Sequence, residues 1–83
     1  MTEIRVAIMG SGSWGTAFGM VLADAGCEVL MWSREAAVAR QVNEEHLNSA
    51  YHPSITLPAK LHATTDASKA LAGASIVVLA LPS

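Results

Sequence analysis

Short apolar runs alternate with helical patterns along the 83 residues of this chain. Apolar, β-branched runs of four to eight residues bounded by glycine or proline are typical of buried strands, whereas apolar residues three or four positions apart are typical of a helix face. The pattern predicts the order strand, helix, strand, helix, loop, strand, helix, strand. The predicted strands are 4–9, 28–32, 61–64 and 76–81, the predicted helices are 16–25, 34–45 and 67–72, and the predicted loop is 48–60.

Glycine, serine and aspartate mark the predicted ends of the helices. Gly26 and Gly73 stand where a glycine commonly ends a helix. Ser33 and Asp66 are predicted to cap the second and third helices, because their side-chain oxygens accept hydrogen bonds from a first helical turn. Spacing by four predicts a buried stripe on the first helix, made of Ala17, Val21 and Ala25 with Phe18 and Leu22 beside them.

The alternation of strands and helices decides the predicted fold class. Strands separated by helices indicate a parallel sheet with crossover helices. Right-handed crossovers place helices on both faces of such a sheet, and the expected strand order is 3-2-1-4. We therefore predict an α/β fold in which residues 1–83 are the N-terminal portion of a Rossmann-type doubly wound parallel sheet.

Composition favours a larger protein around this chain. The chain is 52% hydrophobic and 14% charged, which is apolar for a small domain whose surface is large relative to its volume. It also stops directly after the apolar run 76–81, and an unpaired strand at a chain end invites aggregation. We expect residues 1–83 to be part of a longer protein; the alternative is a complete small protein with its last strand tucked inside.

Charge and hydropathy argue against two classes of partner. The net charge is −2, with 5 lysines and arginines in all, so we expect no nucleic-acid partner. No apolar run approaches the ~20 residues that span a bilayer, and the N-terminus has no signal-peptide pattern. Cys27 is the only cysteine and is interpreted as a small packing residue. These features predict a cytoplasmic protein without membrane insertion.

The sequence Gly10-x-Gly12-x-x-Gly15 is the main candidate for chemistry. It follows a predicted strand directly and opens a predicted helix, which is the context that a dinucleotide-binding turn requires. Gly10 permits a tight turn, Gly12 lets a pyrophosphate approach the backbone, and Gly15 lets the helix pack near the strand. N–H groups at the helix start, with the hydroxyls of Ser11 and Ser13, are predicted to bind the phosphates. The alternative is an ordinary glycine-rich turn between a strand and a helix.

The end of the second strand lacks the carboxylate that NAD-preferring sites usually place about 20 residues beyond the glycine motif. The chain has Trp32-Ser33-Arg34 there, and Glu35 is assigned to the first turn of the next helix. A carboxylate would repel the 2′-phosphate of NADP, whereas Ser33 and Arg34 can bind it by hydrogen bonding and charge. NADP is therefore predicted to be accepted; the alternative is that Arg34 is simply solvated.

Other chemically versatile residues give weaker signals. Trp14 lies inside the glycine turn, where it covers the cofactor, packs against a second domain or packs on the loop that follows. His46, His52 and His62 do not have the spacing of metal ligands, so no metal site is predicted. No nucleophile–base pair can be argued from the spacing either, and no catalytic residue is assigned within the chain.

The glycine turn continues as Ser-Trp-Gly-Thr-Ala, a stretch much more specific than the glycines alone. With the segments below, it resembles the N-terminal part of bacterial NAD(P)-dependent glycerol-3-phosphate dehydrogenases, although Ser11 stands where members of that family often have alanine. The matching segments are 10–17, 21–26, 32–34, 43–46, 48, 51–53, 57–58, 63–66 and 77–83.

The resemblance implies an oxidoreductase that interconverts dihydroxyacetone phosphate and sn-glycerol 3-phosphate with NADP or NAD and supplies phospholipid synthesis. It places the catalytic lysines after the fourth strand and in a helical second domain, outside this chain. The implied partners are the dinucleotide and, in the full-length protein, a small phosphorylated substrate, with a homodimer left open. Together with the glycine motif, the resemblance defines a predicted cofactor-binding set of Gly10, Ser11, Gly12, Ser13, Trp14, Gly15, Arg34 and Tyr51.

Two other functions stay open from the sequence. One is another NADP-dependent reductase similar to 6-phosphogluconate dehydrogenase, because substrate choice depends on residues further along the chain. The other is a nucleotide-binding module without catalysis, which would share the same glycine turn. Residues that follow Ser83 would discriminate them, because an enzyme of this kind needs a second domain that carries a lysine.

Overall fold

The computed structural model describes residues 3–80, and its elements follow the predicted order. The first helix begins at Ser13 rather than Thr16, because the glycine motif already forms its first turn. The predicted end of the last strand, at residue 81, lies outside the described residues. The strands are β1 (Arg5–Met9), β2 (Glu28–Trp32), β3 (Leu61–Thr64) and β4 (Ile76–Leu79), and the helices are α1 (Ser13–Asp24), α2 (Ala36–Glu45) and α3 (Ala67–Leu71).

The four strands form one parallel sheet in the order β3-β2-β1-β4, as predicted. In the register of the sheet, Ala7 of β1 lies beside Leu30 of β2 and Val77 of β4. α1 and α2 pack on one face, and the short α3 packs on the other as the crossover from β3 to β4. The predicted Rossmann-type α/β fold is confirmed.

The main core lies between the sheet and the helices α1 and α2. Alternate residues of the three neighbouring strands point into it, since side chains along a strand alternate between the two faces. Cys27 is half-buried against this core, in keeping with a packing role. The strand residues of the core are Val6, Ile8, Val29, Met31, Leu61 and Ala63, and the helix residues are Ala23, Val38, Ala39 and Val42.

The predicted buried stripe of α1 is wrong for most of its residues, although Leu22 is half-buried against the core. Val21 is 66% exposed and Phe18 is 45% exposed. The helix lies so close to the sheet that a Cβ on Gly19 would be 2.9 Å from Cδ1 of Leu61, so only small residues fit where the helix comes nearest to the sheet. The buried residues of α1 are instead Gly15, Thr16, Gly19 and Ala23.

Three of the four predicted helix ends are confirmed. Gly26 and Gly73 have φ values of 102° and 74°, which a residue with a side chain rarely adopts. Asp66 caps α3 by accepting a hydrogen bond from the N–H of Lys69 at 3.2 Å.

The predicted capping role of Ser33 is wrong. Its N–H donates to the carbonyl of Thr64 at 2.8 Å and so extends the pairing of β2 with β3. Its hydroxyl accepts a hydrogen bond from the N–H of Glu35 at 3.1 Å, which organises a turn. The helix α2 begins only at Ala36.

Candidate functional site

The carboxyl ends of the central strands and the start of α1 enclose a cleft of about 540 Å³. Ligand pockets typically measure about 300–1,000 Å³, and open α/β sheets bind ligands at this edge. Seven of the eight residues of the predicted cofactor-binding set line the cleft, and Gly15 is the exception. The other lining residues are Met9, Trp32, Ser33, Glu35, Val38 and Ala80.

The three glycines of the turn are required for different reasons. A Cβ on Gly10 would lie 2.3 Å from the carbonyl oxygen of Ala80, and one on Gly15 would lie 2.4 Å from that of Gly10. Gly12 has φ −75° and ψ −162°, and a Cβ there would meet nothing nearer than the ring of Tyr51 at 3.9 Å. Backbone packing therefore explains Gly10 and Gly15 but not Gly12, whose missing side chain leaves room in the cleft.

The helix α1 begins in the wall of the cleft. The carbonyl of Gly12 accepts the first helical hydrogen bond, from the N–H of Thr16 at 3.0 Å. N–H groups of a first helical turn have no partner within the helix, and the helix dipole favours an anion beside them. Ser13 is exposed at the first helical position, and the first turn carries no acidic residue. This end of the cleft therefore suits a phosphate group.

Two of the serine hydroxyls at the cleft bond to the protein itself. Ser11 Oγ donates to Ser33 Oγ at 2.9 Å, which ties the glycine turn to the end of β2. Ser33 is buried, and its hydroxyl donates in turn to the carbonyl of Glu35 at 3.2 Å. The predicted roles of the Ser11 and Ser33 hydroxyls as phosphate donors are therefore not supported, because the one proton of each already has an acceptor.

The turn after β2 presents a cation and a carboxylate to the same cleft. Arg34 and Glu35 are both exposed and both line it. Within residues 3–80 the observed salt bridge joins Lys60 and Glu3, and Arg34 has none. Glu35 occupies the cap position of α2 without a side-chain capping bond. Sequence reasoning missed Glu35 as a cleft residue, because it placed the start of this helix two residues too early.

The loop after α2 is fastened to the glycine turn. Asn48 is fully buried, and its Nδ2 donates to the carbonyl of Ser11 at 3.0 Å and to Thr16 Oγ1 at 2.9 Å. His52 Nε2 lies 3.2 Å from the carbonyl oxygen of Ser13. The same loop brings Tyr51 to the cleft. Sequence reasoning missed Asn48 and Thr16, because nothing in the pattern distinguishes a buried loop asparagine from an exposed one.

Trp14 lines the cleft but is 72% exposed. Its ring stacks on that of Phe18, one helical turn further along, with ring centroids 5.7 Å apart. The indole therefore packs on its own helix rather than on the following loop, and it lies between the cleft and the outer surface of α1.

A second cleft, of about 550 Å³, lies on the side of the sheet that carries α3. Charged side chains from Arg5, Glu28 and Lys69 line it, together with His62. It has neither a glycine turn nor the start of a long helix. Within residues 3–80, no three His, Cys, Asp or Glu side chains are grouped to hold a metal ion. The helices of the same residues include none long and apolar enough to cross a membrane.

Residues 5–83 match the family described as NAD-dependent glycerol-3-phosphate dehydrogenase N-terminus. This chain belongs to that family. The resemblance seen in the sequence is thereby confirmed, and so is the predicted nicotinamide dinucleotide cofactor of the family, NAD or NADP.

Curated relatives from the family are about half identical to this chain over the residues that align. The glycerol-3-phosphate dehydrogenase (NAD(P)+) of Streptomyces griseus is 52% identical over 80 residues, which are 96% of this chain and 24% of that protein. The enzyme of the same name from Corynebacterium jeikeium is 56% identical over 80 residues, which are again 96% of this chain and 24% of that protein. The chain thus spans about a quarter of the length of the curated relatives it matches.

Solved structures from the family share the fold. Glycerol-3-phosphate dehydrogenase from Coxiella burnetii superposes with a TM-score of 0.88 at 36% identity, covering 98% of this chain and 25% of that one. The enzyme from Saccharomyces cerevisiae gives a TM-score of 0.87 at 30% identity, covering 98% of this chain and 27% of that one. Fold and family membership therefore agree.

Proposed function

We propose that this chain binds NADP or NAD as the N-terminal cofactor portion of a glycerol-3-phosphate dehydrogenase. The full-length protein would interconvert dihydroxyacetone phosphate and sn-glycerol 3-phosphate, with a bound dinucleotide supplying or accepting the hydride. Support comes from family membership over residues 5–83 and from the names of the relatives. The catalytic lysines, the phosphorylated substrate site and a helical second domain belong, in this proposal, to the three-quarters of the relatives that this chain does not match.

The observation that carries cofactor binding is the open space at Gly12. A phosphate oxygen must come within about 2.7–3.2 Å of a backbone nitrogen to accept its hydrogen bond. A side chain at this position would block such an approach, although neither the backbone angles nor the neighbouring protein atoms forbid one. The packing of the protein does not require a glycine at position 12, whereas a pyrophosphate bound close to the backbone does.

The proposed cofactor contacts divide between the pyrophosphate and the adenosine end. Arg34 binds the 2′-phosphate of NADP, since it is exposed in the cleft without a salt bridge in the described residues. Glu35, whose carboxylate would repel that phosphate, accepts from ribose hydroxyls when NAD is bound. A cation and a carboxylate in the same cleft support the use of both dinucleotides. Tyr51 flanks the turn. The turn and helix start, which shape the pyrophosphate site, are Gly10, Ser11, Gly12, Ser13, Trp14 and Gly15.

Titration of the full-length protein with NADPH and NADH tests this assignment. In the Gly12→Ala variant the methyl group occupies the phosphate approach, so the affinity for both nucleotides should fall about tenfold or more, the loss of one charge-assisted hydrogen bond. The unfolding temperature should stay unchanged, because the methyl touches nothing within 3.9 Å. Arg34→Ala should lower the affinity for NADPH about tenfold and leave the affinity for NADH unchanged. Arg40 is exposed on α2 outside the cleft, so Arg40→Ala should change neither affinity.

Failure of the folded, full-length native protein to bind either nucleotide would contradict the proposal. Dihydroxyacetone-phosphate-dependent oxidation of NADPH by that protein would support the enzyme activity. Reduction of a different ketone alone would favour another reductase, and nucleotide binding without any reduction would favour a non-catalytic module. A homodimer and a cytoplasmic location remain predictions, which sedimentation and cell fractionation would test.

A further inference from the structure

Asn48 is a polar loop residue that the fold buries completely. Its Nδ2 donates to the carbonyl of Ser11 and to Thr16 Oγ1. The Thr16 hydroxyl, also fully buried, donates to the same Ser11 carbonyl at 3.2 Å. Two side-chain donors therefore converge on one carbonyl oxygen of the glycine turn.

The orientation of the Asn48 amide follows from its surroundings. A carbonyl oxygen only accepts hydrogen bonds, so the group facing the Ser11 carbonyl must be the NH₂ of the amide and not its oxygen. The other amide atom, Oδ1, is buried with no hydrogen-bond partner within residues 3–80. Buried polar atoms are normally satisfied, so the bonds made by Nδ2 stand against the cost of this unpaired atom.

The bond to Ser11 sets the direction of the next N–H group. The C=O and N–H of a planar trans peptide point in opposite directions, and no peptide bond of the described residues is cis. The Ser11 carbonyl points inward, to Asn48 and Thr16. The N–H of Gly12, in the same peptide unit, therefore points the other way, toward the cleft that Gly12 lines.

The backbone of Asn48 makes a second connection. Its carbonyl accepts from the N–H groups of Tyr51 at 3.1 Å and His52 at 2.8 Å, which closes the turn that carries both side chains. Tyr51 then lies beside Gly12, and His52 lies against the Ser13 carbonyl. One residue thus fixes both the glycine turn and the loop segment that faces it.

We propose that Asn48 is the positioning residue of the phosphate-binding turn: by holding the Ser11 carbonyl inward, it directs the Gly12 N–H at the pyrophosphate of the dinucleotide. The inference rests on the proposed function, because it concerns how that same site is made ready for its ligand. Asn48 itself does not line the cleft, so it acts through the peptide between Ser11 and Gly12. Thr16 supports the same carbonyl.

The experiment compares three ligands on the full-length protein. ADP carries the 5′-diphosphate without the 2′-phosphate, adenosine 2′-monophosphate carries only the latter, and NADPH carries both. In Asn48→Leu, which is similar in size and uncharged, ADP and NADPH should bind about tenfold more weakly, as expected when one hydrogen bond to a charged group is lost. Adenosine 2′-monophosphate should bind as before, because Arg34 is untouched.

Asn43→Leu is the matched control. The Asn43 amide also makes two hydrogen bonds, to the carbonyl and the N–H of Ala63 at 2.8 and 2.9 Å, but at the outer edge of β3, away from the cleft. This variant should unfold at a lower temperature and bind all three ligands like the native protein. Thr16→Val removes the second donor to the Ser11 carbonyl and should therefore lower the affinity for ADP, as Asn48→Leu does.

The outcomes separate this inference from the function beneath it. Native protein that binds none of the ligands overturns the proposed function and the inference together. Native protein that binds NADPH, with a folded Asn48→Leu variant that keeps full ADP affinity, overturns the inference alone. So does an equal loss for all three ligands, or a loss in Asn43→Leu of the same size, because either would reflect general destabilisation. Should Asn48→Leu fail to fold, unchanged ADP affinity in Thr16→Val overturns it.

Discussion

At the scale of single residues, Gly15 is required by packing and Gly12 by the ligand, and alanine substitution at each position distinguishes the two reasons. In Gly15→Ala the new methyl would lie 2.4 Å from the carbonyl oxygen of Gly10. Because that neighbour is backbone, α1 itself must move away from β1. We expect the free energy of unfolding to fall by about 1–3 kcal/mol, the usual cost of overpacking, as measured by urea denaturation.

Gly12→Ala is the internal control for this stability measurement. Its methyl meets no atom within 3.9 Å, so its free energy of unfolding should stay within about 0.5 kcal/mol of the native value. Equal losses in both variants would show that the turn responds to any added methyl, and the distinction between packing and ligand space at the two glycines would fall.

The roles of single residues were predictable only where the residue type itself limits the geometry. A glycine has no side chain in any environment, so its spacing after a strand carries information about the turn. Asn48 and Ser33 have no such property. Each is buried by contacts with residues distant in the chain, Asn48 with the glycine turn and Ser33 with β3. A local pattern contains neither contact, so Ser33 was assigned to a helix cap and Asn48 to a plain loop.

At the scale of the helices and strands, substitutions on α1 distinguish its buried face, which contains Gly19, from its exposed face, which contains Val21. Gly19→Val adds side-chain atoms where a Cβ alone would be 2.9 Å from Leu61 and 3.4 Å from Ile8. The free energy of unfolding should fall by about 1–3 kcal/mol. Val21→Ala, on the exposed stripe, should change it by less than about 0.5 kcal/mol. If Val21→Ala lowered the free energy of unfolding more than Gly19→Val, the buried face would be the one predicted from the sequence.

Element order was predictable and helix orientation was not, for a physical reason. Alternating strands and helices with short connections allow few arrangements, so the parallel sheet and its order followed from the pattern. On α1, however, spacing by four describes Ala17, Val21 and Ala25 as well as Gly15, Gly19 and Ala23. The sheet accepts the second set because Leu61 and Ile8 leave room only for small side chains. Hydrophobicity alone favours the larger residues and so the wrong face.

In the whole molecule, a large share of the bulky apolar side chains faces outward. Trp14, Phe18 and Val21 form an exposed stripe on α1, and β4 is an outer strand of the described sheet. Contiguous apolar surface and an unpaired strand edge both favour association with other protein. The exposed residues of β4 are Ile76, Val77 and Leu79, with Leu79 at 71% exposure.

This surface predicts that the 83-residue chain, prepared by itself, self-associates through β4. Burial of one leucine stabilises a contact by about 1.5–3 kcal/mol, so Leu79→Lys should raise the dissociation constant about tenfold or more in sedimentation experiments. Ser68→Lys, an exposed position on α3, adds the same charge elsewhere and should leave that constant unchanged. Either lysine reduces the net charge from −2 toward zero, which by itself promotes association. If only Leu79→Lys associates more weakly, the loss therefore comes from the apolar contact of Leu79. Equal dissociation constants for the two variants would place the contact away from β4.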